Sequence, residues 1–267
     1  MDKHIWKFDT EAEYQATNTP PPVVALVDGG MNYDPKPTVI EGYEFIDMGT
    51  SVLWSTKNLG ASKPEDSGKL YQYACVEGYT KDEALTLDLD WTKYKWSNGS
   101  GNSLTKYNND PARGECDGRD TIELEDDAAF REIGKNARIP SIAECEELYE
   151  ACEKRYVENY NSSGVNGFVF TSKKYPANKL FFPVGLAASY EHIDDEFTDI
   201  FDSWINNHNT VGQVRDFDER DDVNYSYFMF YQFWLFDFND HVNVHNHIGE
   251  DAFDRYNLMT IRPVYLK

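Results

Sequence analysis

The stretch His241-Val-Asn-Val-His-Asn-His247 puts three histidines within seven residues. Neutral imidazole is the commonest protein ligand for transition metals. On a β-strand, alternate side chains share a face, so His241, Asn243, His245 and His247 fall on one side and Val242 and Val244 on the other. Three imidazoles on one strand face suit an open zinc-type site, with Asp237 and Asp240 near enough in sequence to orient them. A metal-dependent enzyme or metal-binding module using His241, His245 and His247 is therefore one candidate. Against it, the only signal is the two-residue period, with no H-E-x-x-H frame. A row of exposed polar side chains explains the same pattern.

Other chemistry is thinner. The acidic run Asp216–Asp222, "DFDERDD", offers oxygen ligands of the kind calcium takes, which makes a calcium-stabilised module a third possibility. The Glu-Pro-Asn, Gln-Pro-Asp and Trp-Asn-Asp tripeptides of calcium-dependent sugar-binding lectins are absent. No Ser-His-Asp frame, glycine-rich phosphate loop or nucleophile elbow is visible. Cys75, Cys116, Cys145 and Cys152 lack C-x-x-C spacing. Cys145 and Cys152 fall seven apart on an expected helix, about 10 Å along its axis and too far for a disulfide. Buried, reduced thiols are the expectation.

The run Tyr225–Phe238, "YSYFMFYQFWLFDF", holds nine aromatics in fourteen residues and spreads them over both strand phases. Gln232 and Asp237 interrupt it, and it is too short to span a membrane. One phase must pack inward; the other then presents large rings, as interfaces do. Rings flanked by Asn, Asp and His resemble a paratope, in which rigid aromatics supply area and small polar groups adapt.

The elements that must position these residues belong to a globular chain. Its 267 residues include 15% aromatic and 27% charged side chains, enough for a sizeable core. A formal charge of −22 repels phosphate backbones and anionic lipid, so neither nucleic acid nor membrane is an expected partner. The opening "MDKHIWKFDTEAEYQ" has no apolar run of signal-peptide type. Residues 1–40, with "TNTPPPVVALVDGG" and "YDPKP", read as an attachment or assembly segment, stiffened by three successive prolines.

Beyond residue 40 the pattern becomes domain-like. "YEFIDMGTSVLWSTKNLG" gives short strands between glycine turns, and residues 78–122 read mostly as loop. "EDDAAFREIG" gives a short helix with Ala129, Phe130 and Ile133 inward and Gly134 at its end. Ser141 and Glu144 form a capping box for a second helix, whose inner face takes Ile142, Cys145, Leu148, Tyr149 and Cys152. "GVNGFVFTS" and "KLFFPVG" read as strands. The last quarter differs in character: lysine is absent between Lys179 and Lys267, and residues 190–256 carry 16 Asp and Glu against 3 Arg, a net of −13.

The motifs "EFIDMGTSVLWSTKNLGASKPEDSGKLYQY" (44–73), "LTKYN" (104–108), "LEDDAA" (124–129), "ARIPSIAECEEL" (137–148), "GVNGFVFTSK" (164–173), "LFFPVG" (180–185) and "IRPV" (261–264) together, in this order, resemble a domain abundant in gut Bacteroidetes and their phages. Its members look like C-type-lectin-fold modules of the formylglycine-generating-enzyme type, and many are variable proteins of diversity-generating retroelements. The resemblance spans residues 41–267 and implies an α+β fold of short antiparallel strands with two helices and long loops. Formylglycine-generating enzymes use cysteines late in the chain; here none follows Cys152.

Such retroelements rewrite adenines, with asparagine codons preferred. Changes in the first two bases of those codons reach Asp, His, Tyr, Phe, Ile and Val but never Lys, Glu, Gln, Met or Trp. The lysine-free segment 190–256 matches that alphabet, and each histidine of "HVNVHNH" is one base from Asn. Glu191, Glu196, Trp204, Gln213, Glu219, Met229, Gln232, Trp234 and Glu250 then belong to the fixed scaffold. The implied function is non-enzymatic, hypervariable ligand binding, in a phage tail or receptor-binding component. The expected contact residues are Asp237, His241, Asn243, His245, His247, Phe253, Asp254 and Tyr256. No cofactor is implied. The expected partner is a bacterial surface protein or glycan, a homotrimer suits a tail protein, and the expected location is the phage virion or the bacterial cytoplasm before assembly.

Overall fold

The computed structural model describes residues 35–183, 187–188, 209–215, 227–236, 242–249 and 255–267; the strands within 187–188, 209–212, 227–236 and 242–249 are described by backbone and register. One compact unit runs from Pro37 to Lys267. It is mixed α+β, with antiparallel strand pairs and few helices.

At its centre lies a five-stranded sheet formed by β1 (Thr38–Ile40), β2 (Tyr43–Asp47), β3 (Val52–Ser55), β6 (Ala137–Arg138) and β15 (Val264–Leu266), in the order β1-β2-β3-β15-β6. The chain's last strand is thus inserted between β3 and β6, which ties the C-terminus into the middle of the fold. β1 and β2 are joined through Glu41 and Gly42, with φ of 47° and 78°. A two-residue hairpin turn of this hand needs positive φ at both positions, and glycine meets that without steric cost. β1 lies within the stretch 1–40 that the sequence sets apart as an attachment segment, so the domain begins before residue 41.

Alternation along these strands gives the sheet two buried faces. Tyr43, Phe45 and Ala137 pack with Ala128, Ala129 and Ile133 of helix α2 (Ala128–Ile133) and with Leu59, Tyr71, Tyr73 and Tyr107. Ile46, Val52, Trp54 and Val264 occupy the opposite face against Cys145 and Leu148 of helix α3 (Ile142–Ala151). The same cluster takes Phe168, Phe170, Leu180 and Phe182 from a second sheet, β7-β8-β9 (Cys152–Val157, Gly167–Ser172, Lys179–Pro183). Trp54 is fully buried, and its indole N–H donates to Thr50 Oγ1 at 3.2 Å. Removing so large a side chain costs about 3–5 kcal/mol.

Local signals account for both helices. Asp127 caps α2 by accepting the Phe130 N–H at 2.9 Å, and its other oxygen takes the Ile139 N–H at 2.9 Å, so one carboxylate joins the helix start to β6. Ser141 and Glu144 close the expected capping box of α3. Glu144 also receives both terminal nitrogens of Arg138, at 2.8 and 2.5 Å, a fork geometry that fixes α3 on β6. Burial works against charge on Glu144, but the Arg138 and Ser141 bonds outweigh it and hold the carboxyl below its ordinary range.

Three expectations need correction. Cys152 is not helical: the backbone turns extended there and opens β7. Phe130 is only partly buried, the inward positions of α2 being Ala128, Ala129 and Ile133. A third helix, α1 (Lys81–Ala84), adds to the two expected, with its own capping box between Thr80 and Glu83. It belongs to a third cluster, Leu70, Cys75, Ala84, Leu89, Tyr94, Leu104, Tyr256 and Leu258, which gives the long loop region 78–122 a core of its own. A four-stranded sheet, β10-β14-β4-β5 (Ala187–Ala188, Leu258–Met259, Leu70–Tyr71, Gly78–Tyr79), runs beside it. Among the described residues no helix is long and apolar enough to cross a membrane.

Candidate recognition surface and its anchors

The segment that carries the histidines forms a sheet of three antiparallel strands, β11 (Asn209–Gln213), β12 (Tyr227–Phe236) and β13 (Val242–Gly249), in the order β11-β12-β13. Asn243, His245 and His247 stand opposite Leu235, Phe233 and Tyr231 in the register. Strand alternation places these six residues on one face, and Val242, Val244, Gln232, Trp234 and Phe236 on the other. The strand expected across this stretch is present as β13 from Val242. Asp237, His241, Phe253 and Asp254 lie outside the described residues, as does the burial of the two aromatic phases of Tyr225–Phe238.

Gln213 pairs with Tyr227 and belongs to the same face as His247, His245 and Asn243. It is buried, so that face begins at the core. From Tyr227 to Phe233 is six residues along β12, which puts the His245 register position roughly 20 Å farther along the strand at 3.3–3.4 Å per residue.

The described residues define how this sheet is held. On the way in, the Gln213 N–H donates to Thr260 O at 2.9 Å and its side-chain Nε2 to Tyr71 O at 2.6 Å. Val214 is fully buried against the central sheet. The Arg215 N–H donates to Pro140 O at 2.9 Å, and Arg215 O accepts from the Ile122 N–H at 2.7 Å and from the Tyr73 hydroxyl at 3.3 Å. On the way out, Arg255 O accepts the Tyr73 N–H at 3.1 Å, while its guanidinium lies 5.0 Å from the Tyr73 ring centre and donates to Tyr107 O at 2.7 Å. The side chain of Gln72 donates to Tyr256 O at 2.9 Å. One three-residue stretch, Tyr71-Gln72-Tyr73, thus grips both ends of segment 216–254.

Tyr256 is corrected by this arrangement. It was expected among the contact residues, but it is only 7% exposed and its ring meets Trp91 edge-on at 5.2 Å. It is an anchor of the third core cluster. No local sequence pattern marks Gln72, Tyr73 or Arg255 as anchors. Gln213 does carry a signal, as one of the residues outside the asparagine-derived alphabet.

Beside the anchors, Asp126 gathers Lys95 (3.1 Å), Lys106 (2.6 Å) and the Tyr107 hydroxyl (2.8 Å), and Lys106 also reaches Glu123 at 2.7 Å. The Lys95 ammonium sits 4.0 Å from the Trp96 ring centre. Burial disfavours charge on Asp126, yet its bonds to Lys106, Tyr107 and Lys95 prevail and keep it ionised below its usual range. These contacts pin the loops that carry Tyr107, which receives Arg255. At the other end of the chain, Arg262 is 2% exposed and donates to Asn58 Oδ1 (2.8 Å), Ser55 O (3.2 Å) and Phe181 O (2.8 Å), so "IRPV" cross-links β3, β9 and the C-terminal strand.

Cys75, Cys145 and Cys152 are buried and outside any disulfide, and burial pushes the Cys75 and Cys152 thiols up to about 12, far from the thiolate a nucleophile requires. Cys116, expected to be buried, is exposed. Among the described residues no group of three His, Cys, Asp or Glu side chains is placed to hold a metal. Comparison with family models, with curated proteins and with solved structures returns no match to this chain.

Proposed function

We propose that this chain is a hypervariable ligand-binding protein of the kind a diversity-generating retroelement rewrites, built on a C-type-lectin-like domain of the formylglycine-generating-enzyme type. The observation that carries the reading is the placement of Asn243, His245 and His247 in register on one face of β13, within a segment whose two ends are fastened to a rigid core. That arrangement suits a display surface, since side chains on a held strand can change while the anchors keep the backbone in place. The ordered motifs from residue 44 to residue 264 and the lysine-free composition of 190–256 support it. So does the burial of Gln213, a residue the rewriting chemistry does not produce.

On this reading the protein is not an enzyme. It recognises a bacterial surface protein or glycan as part of a phage tail or receptor-binding assembly, where a trimer would raise avidity. Codon-by-codon deep sequencing of the gene in its host population tests the reading. Substitutions should cluster within 190–256 at adenine-bearing codons, with Gln213, Gln232 and Trp234 fixed. Uniform drift across the gene, or invariance of the codons for His241, His245 and His247 among varying neighbours, would overturn it.

The shared face of Asn243, His245 and His247 favours one second reading, a metal-binding module. It requires a stoichiometric ion in protein purified without a metal-affinity step, and loss of that ion in H245A.

A further inference from the structure

The chain contains two Asn-Gly pairs, Asn98-Gly99 and Asn166-Gly167, and the fold treats them differently. An Asn-Gly bond is a chemical weak point because glycine lets the backbone nitrogen approach the preceding side-chain amide without obstruction from a Cβ. Asn98 and Gly99 are both exposed at the tip of a loop closed by the bridge between Ser97 and Leu104. Gly99 has φ of +95°, and an added Cβ would meet nothing nearer than Thr92 Cγ2 at 3.8 Å. The side-chain amide of Asn98 has no hydrogen-bond partner among the described residues. The Gly99 N–H donates to Ser97 Oγ at 3.0 Å, and Ser97 Oγ in turn donates to Ser100 O at 2.8 Å.

Asn166 is tied down instead. Its Oδ1 accepts the Asn159 N–H at 2.9 Å. Gly167 is the buried first residue of β8, paired on one side with Val157 and on the other with Pro183, and so closely packed that a Cβ would fall 2.2 Å from Phe182 O. Bringing the Gly167 nitrogen onto the Asn166 side chain would require opening the strand. The Asp117-Gly118 pair is restrained in the same way, since the Asp117 carboxylate accepts the N–H groups of Tyr107, Asn108 and Arg119 at 2.8, 3.1 and 3.2 Å.

We infer that Asn98 is a site of spontaneous deamidation that the folded protein leaves open while protecting Asn166. The Gly99 nitrogen attacks Asn98 Cγ as its proton passes to a solvent base. The new N–Cγ bond forms, Nδ2 takes a proton from solvent, the Cγ–Nδ2 bond breaks and ammonia leaves, giving a cyclic imide. Water then adds to either imide carbonyl and opens the ring to aspartate or isoaspartate at position 98. Both products add one negative charge. The isoaspartyl product also routes the main chain through Cβ, lengthening a turn whose closure depends on the Asn98 N–H bond to Ser103 O at 2.9 Å. That turn leads directly into Trp96, whose carbonyl accepts the Thr105 N–H at 3.0 Å.

The test is to hold the full chain at mildly alkaline pH in heavy-oxygen water and map label by peptide fragmentation. Label should enter position 98 and lag at position 166 by on the order of tenfold or more, because each 1.4 kcal/mol of strand opening slows a reaction tenfold. In denaturant the two sites should react at similar rates, and N98Q should remove the fast signal. Retention of the amide at position 98 in the folded chain, or equal labelling at the two sites before denaturation, would overturn the inference.

Discussion

Gln72 and Tyr256 lie 184 positions apart in the chain and are joined by a 2.9 Å hydrogen bond from the buried side-chain amide to the Tyr256 carbonyl. With Gln213 donating to Tyr71 O one residue earlier, the two ends of segment 216–254 converge on neighbouring residues of one strand and its continuation. Both ends of the segment are thereby joined to the core through Tyr71 and Gln72.

Breaking that clasp should be measurable as stability. In Q72A the Tyr256 carbonyl is left buried without its side-chain donor, which costs about 1–3 kcal/mol. The urea midpoint should fall with an unchanged slope, the sign of altered stability without altered compactness. A midpoint equal to that of the parent would mean the bond contributes nothing.

Substitutions at Tyr256 and at the strand residues should separate anchor from surface. Y256A removes a ring packed on Trp91 and should cost about 3 kcal/mol or more. On the binding reading, N243A, H245A and H247A each stay within about ±0.5 kcal/mol of the parent. Thermal unfolding of the four variants checks this, and a large loss in H245A would place that residue in a core.

Physical range decides what was legible in the sequence. The Ser141–Glu144 box and the Asp127-capped helix are set by residues three apart, so their patterns are complete within a few positions. β8 and β9 announce themselves through aromatic and β-branched runs. Cys152 continues the helical spacing of Cys145 and Leu148, but the backbone turns extended there into β7, which carries the strand formers Tyr156 and Val157 and pairs with β8. The Thr80–Glu83 box was present yet opens a helix of one turn, too short to show periodicity. Tyr256 is buried by Trp91, and Gln72 matters only because Tyr256 arrives beside it; no local pattern encodes either meeting. Tyrosine at position 256 fits the alphabet of the segment 190–256, which by itself points to a contact residue.

Acid should find the Arg138–Glu144 pair. Glu144 is held below its ordinary range in the folded state, so its contribution is present above the unfolded carboxylate pKa and is lost as pH falls through the lower folded value. Asp126 and Asp117 act in the same sense. Asp127 opposes them: burial raises its pKa, so folding favours its protonated form and its penalty is relieved as pH drops. Stability should therefore decline below about pH 4–5, and E144Q should be less stable at neutral pH but lose less on acidification. Equal acid slopes in the parent and E144Q, followed by denaturant titration at several pH values, would remove Glu144 from this account.

Chelation separates the two readings of "HVNVHNH". A metal bound only by the native state stabilises it in proportion to ligand occupancy, by about 2.7 kcal/mol at a hundredfold excess over Kd. A display strand gains nothing comparable from an ion. Protein purified without metal affinity should carry no stoichiometric zinc, and its melting temperature should be unchanged by a chelator or by added zinc or calcium. A rise of several degrees with zinc that disappears in both H245A and H247A would establish a metal centre on β13. A rise with calcium that survives both substitutions would instead place an ion among the carboxylates, because calcium takes oxygen ligands and has no use for imidazole.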